Sequence, residues 1–123
     1  MANLPRALLV CFVCCSQGLA DDLLVPSQFS FSDALRTAQP GDRILLAPGT
    51  HPGGQFQAGL TDVIIRSQNP ASPAVIQGGV NNMQLSDARD VTIEHLIFEG
   101  ATGNGLNIDD GGSIDSPAHH VTL

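Results

Sequence analysis

The densest group of oxygen-bearing side chains in this sequence is the run Asn107-Ile108-Asp109-Asp110-Gly111-Gly112-Ser113-Ile114-Asp115. Asp109, Asp110 and Asp115 on a glycine-rich loop are candidate ligands for Ca2+, a hard cation that collects several carboxylate and carbonyl oxygens. The run lacks the evenly spaced Asp/Asn ligands and closing Glu of a helix-loop-helix calcium site. Asp and Gly also build solvated corners, and that reading is favoured here. His119-His120 could supply a general base or a metal ligand. Adjacent residues in a turn point in different directions, which favours two exposed turn histidines instead. Glu94 and Glu99 flank Leu96 and Phe98, and Asp90 with Glu94 forms a second acidic pair. A glycoside hydrolase needs two carboxylates about 5–10 Å apart on one groove. The stretch Gly100 to Gly105 lacks a Lys-Ser/Thr ending and a following helix, so it is not a phosphate loop.

These residues sit on a repeating framework. The phrases Thr61-Asp62-Val63-Ile64-Ile65, Arg89-Asp90-Val91-Thr92-Ile93 and His119-His120-Val121-Thr122-Leu123 recur, with valines 28 and then 30 positions apart. A period of about 20–50 residues marks stacked structural units. Between the repeats lie other short apolar runs, Val75-Ile76, Met83 with Leu85, Leu96-Ile97-Phe98 and Leu106 with Ile108. Turn residues separate them, so each coil should hold two or three short strands. In Asp-Val-x-Ile the Asp belongs to a turn and the β-branched residues point inward. Stacking then lets like positions ladder and bury a continuous core.

Before the first coil, Leu23-Leu24-Val25 reads as a short strand closed by Pro26. Phe31, Ala34, Leu35 and Ala38 share one face at helical spacing. Ser30 or Ser32 can cap this helix, Asp33 suits its first turn, and Pro40-Gly41 ends it. A helix in this place would cover the exposed end of the stack. The fold expected is all-β, a right-handed parallel β-helix of about three coils with an N-terminal capping helix. The run stops at Leu123 inside a repeat, so the fold is read as truncated there. The uncovered edge should associate with other chains.

Composition narrows the function. Arg6, the apolar run from Ala7 to Cys15, and small residues at Gly18 and Ala20 lay out a secretory signal peptide over residues 1–20. The apolar run is too short to span a bilayer. Residues 21–123 then form a secreted or periplasmic domain with no membrane partner. That domain holds no cysteine and no lysine, and it sets four arginines against twelve acidic residues. Such a charge balance repels phosphate backbones and argues against nucleic-acid binding. The chain has neither Trp nor Tyr, the usual stacking platforms for sugar rings.

The run from Phe31 to His51 passes from the helix through Gln39-Pro40-Gly41-Asp42 into Arg43-Ile44-Leu45-Leu46, then Pro48-Gly49-Thr50-His51. It resembles the opening of secreted right-handed parallel β-helix proteins of the pectate-lyase-like superfamily, and the Asp-Val-x-Ile repeats resemble its coils. The resemblance spans about residues 23–123. It implies an extracellular carbohydrate-active protein acting on an acidic polysaccharide, with lyase ahead of hydrolase or epimerase chemistry. It also admits a non-catalytic binding or surface module and an inactive fragment. In that superfamily Lys or Arg often serves as the base; here Arg66 and Arg89 stand beside repeat strands, where exposed Arg is common. The resemblance implies catalytic residues on later coils, and none carries over to a position of this chain.

Overall fold

The computed structural model describes residues 20–110 and 121–123. The expected signal peptide, Asp115 and the His119-His120 pair lie outside the described residues.

Ten short strands and one helix follow in order: β1 (Asp22–Val25), α1 (Phe31–Thr37), β2 (Arg43–Leu46), β3 (Gly49–Pro52), β4 (Gln55–Ala58), β5 (Ile64–Ser67), β6 (Ala74–Gln77), β7 (Met83–Ser86), β8 (Thr92–Glu94), β9 (Leu96–Glu99) and β10 (Leu106–Asp109). Every pairing is parallel. The strands form three sheets, β1-β2-β5-β8, β3-β6-β9 and β4-β7-β10. Each coil contributes one strand to each sheet, and β1 adds a further rung below the first coil. This is a parallel β-helix, a solenoid of about four turns.

The repeat sets the register of the first sheet. Ile64 pairs with Thr92 and Ile65 with Ile93, and a bridge continues the column from Thr92 to Thr122. Val63, Val91, Ile65 and Ile93 are buried, whereas Ile64 and Thr92 face outward. Asp62 and Asp90 occupy the left-handed region, with φ of 53° and 54°. Asp tolerates that conformation because its short side chain can bond locally. The motif therefore encodes a corner, an inward residue, an outward residue and an inward residue.

The first coil departs from that pattern at one position. Register places Gly41 and Asp42 where later coils have Asp62 and Val63. Gly41 takes the corner conformation, with φ of 95°. Asp42 is buried at the inward position. Its carboxylate accepts from the backbone N–H of Gln39 at 2.8 Å and of Asp21 at 3.2 Å. It thus fastens the segment leaving the helix and the segment entering β1 to the same corner.

α1 closes this end. The Ser30 hydroxyl accepts from the Asp33 N–H at 3.1 Å, a capping bond. Phe31, Ala34 and Leu35 are buried in one apolar cluster with Leu23, Val25, Ile44 and Leu46. The helix packs on β1, β2 and β4. Its two turns are too few to persist alone, so burial of that face holds it in place.

β3 and β4 contain no apolar run, and the sequence signals only breakers around them. They are strands because β6 and β7 pair with them along their length. Tertiary pairing overrides weak local preference. Pro52 is tolerated because β3 is the outer strand of its sheet, where a missing N–H breaks no ladder.

Candidate functional site

The outer face of the third sheet carries the most developed arrangement of polar and aromatic groups. Strand alternation sends Met83 and Leu85 inward and Gln84 and Ser86 outward. Register then builds two outward columns. Phe56, Gln84 and Asn107 form one, and Ala58, Ser86 and Asp109 form the other.

Hydrogen bonds link the columns into a relay. The Asp109 carboxylate accepts from Gln84 Nε2 at 2.8 Å and from Ser86 Oγ at 2.7 Å. A carboxylate accepts, so Gln84 must turn its nitrogen toward Asp109 and its oxygen away. That oxygen accepts from Asn81 Nδ2 at 3.1 Å. Asn81 therefore aims its own oxygen elsewhere, and it accepts from the Asn104 N–H at 3.1 Å. One carboxylate and one backbone donor thus fix two side-chain amides. Such a pre-ordered set loses little freedom on binding.

Apolar surface borders the relay. Phe56 is 58% exposed and Val80 69% exposed. They line a shallow groove of about 250 Å3 with Gly54, Gln55, Asn81 and Gln84. A glycine corner sets this geometry. The backbones of Gly54 and Gly79 approach so closely that a Cβ on Gly79 would lie 2.4 Å from Gly54 N. Gly79 also has a φ of 80°, which a side chain would strain. The Gly54 N–H donates to the Asn81 carbonyl at 2.9 Å. Buried Asn82 secures the corner by donating from Nδ2 to the carbonyls of Gly78 and Glu99, each at 2.9 Å.

The residues singled out in the sequence are distributed differently. Asp109 joins the relay, with one carboxylate oxygen engaged by Gln84 and the other by Ser86. Asp110 follows it on the surface, and Asp115 lies outside the described residues. Among the described residues, no group of three His, Cys, Asp or Glu side chains could hold a metal ion. Glu94 and Glu99 end β8 and β9, which belong to different sheets. The left-handed corner at His95, with φ of 57°, divides them. Asp90 occupies the corner before β8 and Glu94 its far end. Arg66 and Glu94 are register partners on the outer face of the first sheet. Among the described residues, the buried Nε of Arg66 has no hydrogen-bond partner. Arg89 contacts Asp87 at 3.4 Å. Gly100 turns the chain between β9 and β10 with φ of 70°.

Two further features complete the surface. At the end of the solenoid opposite α1, an apolar recess of about 520 Å3 is lined by Ile93, Leu96, Phe98, Leu106 and Leu123, with Glu94 and His95 at its side. At the other end, Asp33 is held below the ordinary aspartate value of 3.8 by the hydrogen bond and charge of Arg36, with help from the Ser30 hydroxyl. No helix among the described residues is long and apolar enough to cross a membrane.

Comparison of the chain with protein-family models, with curated proteins and with solved structures gives no match.

Proposed function

We propose that this chain is part of an extracellular carbohydrate-active β-helix protein, and that its described portion binds polysaccharide on the outer face of the third sheet. One observation carries the reading: an exposed aromatic ring beside amides whose orientations are already fixed. Sugar rings present apolar C–H faces and polar hydroxyl edges. Phe56 and Val80 suit the faces, while Asn81 and Gln84 suit the edges. A parallel solenoid repeats its columns about every 4.8 Å along the stack, which offers a long polymer a continuous track.

The test is retention of the full chain on immobilised polysaccharides, with ultraviolet absorbance of the soluble products followed in parallel. Retention without new absorbance supports binding. New absorbance from an unsaturated uronate would instead make the protein a lyase. Failure to bind any polysaccharide would remove the proposal.

A further inference from the structure

The connection from β9 to β10 carries an Asn-Gly step, Asn104-Gly105. Thr102, Gly103 and Asn104 are exposed, and neither Asn104 nor Gly105 belongs to a helix or strand. An asparagine side-chain amide is an electrophile, and the backbone nitrogen of the next residue stands one ring closure away from it. Glycine offers that nitrogen no side chain to obstruct its approach. The other asparagines among the described residues lack this combination. Pro70 follows Asn69 and has no N–H to give. Asn82 follows Asn81, whose Nδ2 donates to Gln84. Asn82 is fully buried, and its own Nδ2 donates to two carbonyls. Asn107 lies within β10 and precedes the β-branched Ile108.

Packing explains why a glycine stands at this step. A Cβ on Gly105 would lie 3.2 Å from the Cβ of Phe98 and 3.6 Å from Asn82 Oδ1. The same short stretch joins two coils. The Asn104 N–H donates to Asn81 Oδ1 at 3.1 Å. The Asn82 N–H donates to the Asn104 carbonyl at 3.1 Å, and the Met83 N–H donates to the Gly105 carbonyl at 3.0 Å.

We propose that Asn104-Gly105 is a site of spontaneous deamidation and isomerisation, and that the isoaspartate formed there loosens the third coil from the second. The Gly105 nitrogen gives up its proton and bonds to Asn104 Cγ. The bond from Cγ to Nδ2 breaks, and Nδ2 leaves as ammonia with that proton. A five-membered cyclic imide remains. Water then opens the imide at one of its two carbonyls, and no oxidant or reductant is consumed. Opening at Cγ leaves aspartate on an ordinary backbone. Opening at the backbone carbonyl of residue 104 leaves isoaspartate, whose main chain runs through Cβ and Cγ. That route is one carbon longer, and it turns the carbonyl that accepted from Asn82 into a free carboxylate. The three bonds between the coils cannot all survive it. One of them also orients the Asn81 amide, so the change reaches the candidate face.

The experiment incubates the full chain at alkaline pH, where the Gly105 nitrogen loses its proton more readily. Peptide mapping follows mass and linkage at each asparagine, and a synthetic peptide of residues 101–107 supplies the unfolded reference rate. The expected result is a gain of about 1 Da at residue 104, largely as isoaspartate. It should slow at mildly acidic pH and spare Asn69, Asn81, Asn82 and Asn107. Asn104→Gln should abolish it, since the ring would need six members. The melting midpoint of that variant should not move, because the bonds of residue 104 to the second coil use its backbone.

An intact Asn104 after the reference peptide has fully converted would overturn the site, for the fold would then hold the nitrogen away from Cγ. Conversion first at another asparagine would overturn it as well. Hydrogen exchange reads the structural consequence. At the Asn82 and Met83 amides it should quicken about tenfold in the isoaspartate form, as local opening loses one or two bonds. Exchange there equal to that of Asn104→Gln would overturn the loosening.

Discussion

The two ends of the solenoid solve the same problem differently. At the N-terminal end, α1 lays Phe31, Ala34 and Leu35 over the first coil, and Asp42 joins the helix exit to β1. At the other end, Ile93, Leu96, Phe98 and Leu106 surround an apolar recess, and Leu96, Phe98 and Leu106 are only partly buried. A coil gains most of its burial from the layer stacked against it. The contrast teaches that, among the described residues, inward positions lose burial with distance from the helix-covered end.

That contrast is open to direct attack. Leu35→Ala should destabilise most, by about 2–5 kcal/mol, since it leaves a cavity under the helix. Its measure is the denaturant midpoint of unfolding. Asp42→Ala comes next, at about 1–3 kcal/mol, because two backbone donors lose their acceptor. Urea melts with hydrogen exchange at Gln39 would locate the damage. Leu106→Ala should cost only about 1 kcal/mol, the scale of an average substitution. A loss matching that of Leu35→Ala would show that the recess is covered in solution, and the two ends would then be equivalent.

Two smaller effects sharpen the picture. Added Ca2+ should leave the melting midpoint unchanged, since the Asp109 oxygens already accept from Gln84 and Ser86. A calcium-dependent rise would support Asp109, Asp110 and Asp115 as ligands. The smallest effect concerns acid. The Asp33 carboxyl is depressed below 3.8 by Arg36 and Ser30. Its contribution is therefore present above the unfolded value and is lost as pH falls through the folded one. Asp33→Asn should remove that part of the acid dependence, read as a flatter plot of midpoint against pH below about 4.

Much of the framework was legible because the repeat is a local pattern with a physical cause. Asp-Val-x-Ile specifies a left-handed corner and alternating faces, and the pairings Ile64 with Thr92 and Ile65 with Ile93 follow that alignment. The helix and its Ser30 cap were equally readable. β3 and β4 were hidden because their strand character comes from β6 and β7, which lie a full coil later. The candidate face was hidden for the same reason. Phe56, Gln84 and Asp109 share no motif, and they meet only once the third sheet's register is known. A signal did exist in Gln55-Phe56-Gln57-Ala58, where a lone aromatic alternates with glutamines. The absence of Trp and Tyr drew attention away from Phe as a stacking surface.

The glycine corner has a consequence for redesign. Gly53 lies so close to Gly78 that an added Cβ would sit 2.1 Å from its carbonyl oxygen. That edge of the solenoid has no room for extra atoms. The connection from β5 to β6 differs, with residues 68–72 exposed to solvent. Foreign peptides should therefore be accepted between Ser67 and Ala74 and rejected at the glycines. The molecule offers one edge for grafting and one that must be copied unchanged.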